Sequence, residues 1–257
     1  MRHVSAATRH LLWSILVLAA SQALADTGRV IQLVGTVSVQ RGDGAIKALS
    51  VDSIVMTGDI VSTQKNSTAR IRFEDGGQLS LRPETQLKIE AYSFDQATPA
   101  KDSMSYSLLK GGLRAVTGLI GKRGNADAYK AKATEATIGI RGTRFGMLSC
   151  RREPGQILSE EVLKLCSCTG LADADRSSQG DGGLYVDVTE GAIGLTNSSG
   201  TIVLEAGESV CIANENSVPQ KLPGLPGLEG ALPDDLMSLS QSLNLFGLDN
   251  TAICRIR

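Results

Sequence analysis

The chain has 257 residues, with 26 Lys and Arg against 27 Asp and Glu, which gives a formal net charge of −1. A charge so close to zero provides no bulk attraction to nucleic acid, so we expect no nucleic-acid partner. Aromatic residues are only 4% of the sequence. The core must therefore be built from Val, Ile, Leu and Ala, which suits β packing.

The first 25 residues have the pattern of a secretory signal peptide. Arg2 and Arg9 form a basic start, residues 11–20 are apolar, and residues 23–25 (Ala-Leu-Ala) have the form of a cleavage site. The apolar run is shorter than the ~20 residues of a membrane-spanning helix. We expect export to the periplasm with cleavage after Ala25, and no integral membrane protein; an uncleaved anchor is the alternative.

Removal of residues 1–25 would also remove both histidines, His3 and His10. Without imidazole, the exported chain cannot use Ser-His-Asp or Cys-His catalysis, and it cannot form a His-ligated metal site. We therefore expect no catalytic residue, no metal site and no cofactor. The adjacent acidic pairs at residues 160–161 and 234–235 point in different directions in any regular structure, so they are poor candidates for a hydrolase that uses two carboxylates.

From Arg29 onward, short apolar runs alternate with Gly, Asp and Asn, which is typical of β-strands joined by tight turns. Asp75-Gly76, between two alternating runs, is a strong hairpin signal. Strands at this regular spacing predict an all-β domain over residues 26–216, built as a sandwich, a barrel or a short solenoid-like body. The predicted strands are residues 30–40, 51–56, 60–63, 69–73, 78–81, 86–92, 104–109, 113–117, 129–133, 184–189, 192–196, 201–204 and 209–213.

Residues 134–146 combine β-favouring side chains with three glycines. A glycine inside a strand pattern marks a bulge, a bend or a close backbone approach. We predict two short strands joined by a kink at Arg141, Gly142 and Thr143. Arg141 and Arg144 either bind turn carbonyls or a nearby carboxylate, or recognise a carboxylate or an anionic sugar. The structural role is preferred, and Arg141 is expected to donate to a buried acceptor.

Residues 149–183 interrupt the strand pattern and predict a long insertion loop. Cys150 lies at its start, and Cys166 and Cys168 lie inside it. Because the periplasm is oxidising, we predict a disulfide between Cys150 and either Cys166 or Cys168. The exported chain has five cysteines, an odd number, so at least one thiol is free or pairs between chains.

Residues 217–257 begin with a Pro- and Gly-rich linker and continue into a predicted amphipathic helix. Leu236, Leu239, Leu243 and Phe246 recur at helical spacing on one face. Such an apolar face either packs back on the β domain or binds a partner protein.

Several short motifs, in their order along the chain, resemble the FecR-like domain family of bacterial envelope proteins. They are residues 35–39 (GTVSV), 58–63 (GDIVST), 69–76 (ARIRFEDG), 109–113 (LKGGL), 136–145 (ATIGIRGTRF), 191 (G) and 206–208 (AGE). The resemblance covers about residues 28–213 and implies an all-β periplasmic fold. In the best-known members, this domain receives a signal from an outer-membrane receptor and passes it to a cytoplasmic sigma factor.

The chain departs from that arrangement, because a cleavable signal stands where those members have a cytoplasmic segment and a membrane helix. We therefore expect a non-enzymatic interaction module in the periplasm that binds an envelope protein or a glycan. An accessory sensor that acts with a separate transmembrane signalling partner is the first alternative, and a carboxylate-dependent hydrolase is the second. The sequence leaves the ligand and the oligomeric state open.

Overall fold

A computed structural model describes residues 28–123, 125, 127–151 and 183–222. In this part of the chain, sixteen strands and one short 3-10 turn (Pro99–Lys101) form, which confirms the all-β fold class. The strands are β1 (Gly28–Val34), β2 (Val37–Gln40), β3 (Ile46–Ala48), β4 (Ile54–Val55), β5 (Ile60–Thr63), β6 (Thr68–Phe73), β7 (Gln78–Leu81), β8 (Gln86–Ser93), β9 (Ser103–Lys110), β10 (Gly112–Val116), β11 (Tyr129–Lys132), β12 (Thr137–Ser149), β13 (Leu184–Asn197), β14 (Gly200–Glu205), β15 (Ser209–Ile212) and β16 (Gln220–Leu222).

All sixteen strands belong to one curled sheet that is organised around β12 and β13. These two long strands run antiparallel from the pair Thr137↔Thr196 to the pair Ser149↔Leu184. β11 and β10 pair with the first and last parts of β12, and β14 and β15 pair with the two ends of β13. The sheet therefore divides into two wings that share β12 and β13.

The first wing continues from β11 through β9, β8, β5, β2 and β3, and the second from β10 through β7, β6, β1 and β4. On the other side of the shared pair, β14 completes the first wing, and β15 and β16 complete the second. Only the β9–β11 pair is parallel among the described strands; the sheet is therefore mixed.

The two wings pack face to face around one aliphatic core. Leu87 and Ile89 of the first wing and Ile71 and Leu79 of the second wing are fully buried in the same cluster. Because alternate residues of a strand point to opposite faces, one set of side chains fills the core and the other faces outward. Each fully buried Leu or Ile contributes about 1.5–3 kcal/mol to folding, so this cluster holds the wings together.

Some features of the chain differ from the sequence predictions, and others fall on residues that the structure does not describe. β16 forms within the predicted linker, because pairing with β15 outweighs the local Pro and Gly composition; Pro219 stands just before the strand, where proline is tolerated. The insertion with Cys166 and Cys168, and the predicted helix with its apolar face, lie outside the described residues. No helix in the described ranges is long and apolar enough to cross a membrane.

Candidate functional site

The kink predicted near Gly142 is a β-bulge inside one continuous strand, β12, and not a break between two short strands. It lies where the two wings meet. The β12–β13 register passes from Arg141↔Ala192 to Arg144↔Glu190, with an irregularity between the two pairs. Gly142 has φ +62° and Gly191, across the pair, has φ +78°. Both values lie in the left-handed region that favours glycine, so the chain turns here from one wing into the other.

The two glycines are required for different reasons. A Cβ on Gly191 would lie 2.5 Å from the carbonyl oxygen of Gly142, which is backbone and cannot move aside cheaply. A Cβ on Gly142 would meet nothing nearer than the Lys122 Cγ at 3.7 Å, an ordinary contact. At Gly191, both the positive φ and the lack of room for a Cβ therefore require glycine. At Gly142, only the positive φ favours glycine.

Thr143 fastens the bulge to both neighbouring segments, and it is only 3% exposed. Its N–H donates to Thr117 Oγ1 over 2.8 Å, and its own Oγ1 donates to the Ala192 carbonyl over 2.9 Å. The Thr117 N–H in turn donates to the Thr143 carbonyl over 3.1 Å. These three bonds tie β12 to β13 and to the segment that follows β10, which holds the bend in one conformation.

Arg141 does not have the role that the sequence suggested. Ile138 and Ile140 point into the core, so strand alternation places Arg141 on the outer face, where it is exposed. Within the described ranges, its side chain makes no hydrogen bond or ion pair. The prediction that Arg141 donates to a buried acceptor is therefore wrong, and its guanidinium group faces solvent beside the bulge.

Arg144 lies on the other side of the bulge and faces an acidic residue. Its Nε is 3.8 Å from Glu190 Oε1, with the two side chains 36% and 66% exposed. That distance is too long for a hydrogen bond, and exposed pairs of this kind contribute about 0–1 kcal/mol to stability. Among the described residues, Arg144 Nε is itself buried and has no hydrogen-bond partner, so a ligand would reach this half-buried side chain through its terminal guanidinium nitrogens.

Lys122 is the third cation at the bend, and its exposed side chain lies over Gly142. We call Lys122, Arg141, Gly142, Arg144 and Glu190 the bend surface. Three cations and one anion lie around Gly142, the one residue of the bulge without a side chain. Such a surface fits an acidic group, because Lys and Arg offer only donors and carry positive charge.

The segment before Lys122 is held in place by the buried carboxylate of Asp75. Asp75 is 5% exposed and accepts hydrogen bonds from the N–H groups of Gly77 and Ile120 over 3.0 and 3.2 Å. Burial raises the pKa of Asp75, and these two N–H groups oppose the rise. The Asp75 carbonyl also accepts from the Leu119 N–H over 2.9 Å, so the hairpin fixes the chain that carries Lys122.

Arg123, next to Lys122, anchors the other end of this segment. Its guanidinium group lies 4.7 Å above the Phe94 ring and 3.8 Å from the carboxylate of the buried Asp102. It also donates to the carbonyls of Asp95 and Gln96. Lys122 therefore extends from a segment that is fixed at both ends, which limits the ordering cost of binding.

Cys150 and Cys211 are both buried and disulfide-bonded. β13 lies between their strands, which places them about 10 Å apart, beyond the reach of a disulfide to each other. The predicted partners Cys166 and Cys168 lie outside the described residues, so pairing of Cys150 with either of them stays a prediction. The sequence did not single out Cys211.

A model of the FecR protein family matches residues 59–164, which include Gly142 and the segment that carries Lys122. The domain is FecR-like. Two crystal structures of a proposed anti-sigma factor from Parabacteroides distasonis ATCC 8503 are similar to this FecR-like chain, with TM-scores of 0.44 and 0.43. Each is 12% identical, and each comparison covers 67% of this chain and 62% of that chain. Among curated proteins, none matches the chain significantly.

Proposed function

We propose that this FecR-like chain is a non-enzymatic interaction module of the cell envelope that binds an acidic group at the bend surface. The observation that carries the proposal is the placement of Lys122, Arg141 and Arg144 around Gly142. Each of the three side chains is exposed or half-buried, on a bend held by the buried Thr143. A surface arranged before binding loses little entropy when it binds.

The chemistry that fits this surface is a carboxylate. An acidic segment of an envelope protein and an acidic glycan both supply it, and Arg binds carboxylates through two parallel hydrogen bonds. An envelope location is supported by the expected signal peptide over residues 1–25 and by the FecR resemblance. The module would therefore act on the periplasmic side of the envelope.

A second candidate function is an accessory sensor that acts with a separate transmembrane signalling partner. The match to the FecR family over residues 59–164 favours a signalling role. If the chain is such an accessory sensor, the acidic group that binds at the bend surface belongs to the periplasmic part of the transmembrane partner. A signalling reporter that responds to loss of the chain would support it.

Catalysis has little support in the described residues. A surface pocket of about 290 Å³ between β1, β4 and β6 is lined mainly by apolar atoms, with Arg29, Arg72 and Glu74. It offers one carboxylate, whereas glycoside hydrolysis uses two. In the part of the chain that the structure describes, no group of three or more His, Cys, Asp or Glu side chains is placed to hold a metal ion.

The proposal is tested by capture from a periplasmic extract with the purified exported chain as bait. We expect Arg141→Glu to lose the captured component, while Lys47→Glu, the same charge change on β3 far from the bend, retains it. Protease treatment of the extract separates the two sources of the carboxylate, because it removes an acidic protein and spares a glycan. Equal capture by the two variants would contradict a role for the bend surface.

A further inference from the structure

Four strands of the sheet pair with only one other described strand: β3, β4, β14 and β16. Proteins protect such edges with short strands, with Lys or with Pro, because an open edge pairs with other chains. β3 has three residues and contains Lys47, and β4 has two residues. β16 has three residues, and its Lys221 contacts Glu208 over 2.6 Å. These three edges are protected.

β14 differs from the other edges in length and composition. It has six residues, Gly-Thr-Ile-Val-Leu-Glu, without Lys, Arg or Pro. Val203 is 58% exposed at its centre. Leu204 belongs to the core, and Ile202 is partly buried against it. Among the described residues, β14 therefore presents an apolar edge with none of these protective features, and its inward face continues the core.

The backbone groups of β14 follow a pattern that leaves part of the edge open. The pair Asn197↔Gly200 closes a two-residue hairpin between β13 and β14, and the two residues of such a closing pair are hydrogen-bonded to each other through their backbones. Along the two strands, hydrogen-bonded and non-hydrogen-bonded residue pairs then alternate. Thr201, Val203 and Glu205 then direct their N–H and C=O groups away from β13. The Glu205 N–H fits this pattern, because it donates to Glu208 Oε2 over 2.8 Å.

The charges at the two ends of β14 are negative. Glu205 is exposed at the C-terminal end of the strand. At the hairpin end, Glu215 is exposed, and its carbonyl accepts a hydrogen bond from the Ser198 N–H over 3.2 Å. A strand that binds here is favoured when it carries basic residues at its ends.

We propose that β14 is a docking edge for an extended segment of a protein partner, with alternating apolar side chains and a basic residue at each end. The segment would add a strand to the first wing, bond to the backbone of Thr201 and Val203, and cover Ile202. Addition of a strand to an open sheet edge is a general mode of peptide recognition. This inference rests on the proposed function only in requiring a protein partner.

The test uses a fluorescein-labelled synthetic peptide, Arg-Thr-Val-Thr-Val-Arg, and the full exported chain in a fluorescence anisotropy titration. Val203→Pro removes one outward N–H, and β13 pairing does not use that group. Val203→Thr keeps the N–H and is the matched control. Loss of one hydrogen bond together with the bulk of the proline ring should weaken binding by about tenfold or more. We expect Val203→Thr to bind like the wild type, and Glu-Thr-Val-Thr-Val-Glu to bind more weakly than the basic peptide.

Hydrogen exchange of the wild type provides a second readout that does not depend on the folding of any variant. The bound peptide should protect the amides of Thr201 and Val203 and leave Ile46–Ala48 unchanged. Absence of wild-type binding, protection at another edge, or equal binding by Val203→Pro and Val203→Thr would overturn the proposal. A wild-type dimer that Val203→Pro converts to a monomer would also overturn it, because β14 would then pair with itself.

Capture from the periplasmic extract separates this inference from the proposed function. If Val203→Pro captures its partner normally while Arg141→Glu does not, the docking edge is wrong and the bend surface stands. If both variants lose the partner, both surfaces contribute to binding.

Discussion

Alanine at Gly142 and alanine at Gly191 separate backbone strain from steric exclusion at the bulge. Both glycines have positive φ, so either substitution places a side chain in the left-handed region, at a cost of about 1–2 kcal/mol. Only at Gly191 would the new Cβ lie 2.5 Å from a backbone oxygen, that of Gly142. Overpacking of this kind adds about 1–3 kcal/mol.

We therefore expect Gly142→Ala to lower the free energy of unfolding by about 1–2 kcal/mol and Gly191→Ala by about 2–5 kcal/mol. Alanine removes the same conformational entropy from the unfolded chain at both positions, so the difference between the variants isolates the clash. Gly194→Ala, also on β13, has no positive φ and nothing within 4 Å of the added Cβ. It should change stability by less than about 0.5 kcal/mol.

Urea denaturation followed by circular dichroism gives the unfolding free energy of all three variants. The values can be compared directly if the dependence of unfolding free energy on urea concentration is the same for each variant. The reasoning would be refuted if Gly142→Ala cost as much as Gly191→Ala. It would equally be refuted if Gly194→Ala were as damaging as either, because the strand would then be generally intolerant of side chains.

Three further predictions concern the framework of the bend. Thr143→Val removes the hydroxyl that donates to Ala192 and should cost about 1 kcal/mol; an unchanged melting temperature would show that this bond contributes nothing. Arg141→Ala should change stability by less than about 0.5 kcal/mol, because the side chain is exposed; a larger loss in thermal melts would restore a structural role. Burial raises the pKa of Asp75 above 3.8, so the folded chain binds the carboxyl proton of Asp75 more tightly than the unfolded chain does. Ionisation of Asp75 at a pH above its raised pKa therefore lowers the stability of the folded chain. As pH falls from about 7 to about 4, wild-type unfolding free energy should therefore rise relative to Asp75→Asn; a constant difference in urea titrations would contradict this.

Much of the strand content could be predicted, because it depends on neighbouring residues. The alternation in Ala69–Phe73 and the Asp75-Gly76 turn are local signals, and both strands that flank this turn form as expected. The sharing of β12 and β13 by two wings, and the parallel β9–β11 pair, depend on contacts between distant segments. No local pattern specifies them, so the sequence left sandwich, barrel and solenoid open.

At the bend, the sequence located Arg141, Gly142 and Arg144 but not Lys122 and Glu190, which complete the surface. Gly191 falls between the predicted strands 184–189 and 192–196, and its position opposite Gly142 follows only from the β12–β13 register. Lys122 belongs to a basic run whose position depends on the distant Asp75. The error at Arg141 was avoidable, because the alternation of Ile138 and Ile140 already places the next residue on the outer face.

The central claim is that the bend surface binds an acidic group, and a charge-reversal affinity measurement tests it most directly. The component captured by the wild type is titrated against the double variant Lys122→Glu with Arg141→Glu, and against Lys47→Glu with Lys65→Glu as an equally charged control. Loss of close charge pairs costs about 2–5 kcal/mol, so the bend variant should bind about 30-fold more weakly or worse. The control should match the wild type apart from a small long-range effect. Equal affinities for the two double variants, with both chains folded by circular dichroism, would contradict the claim.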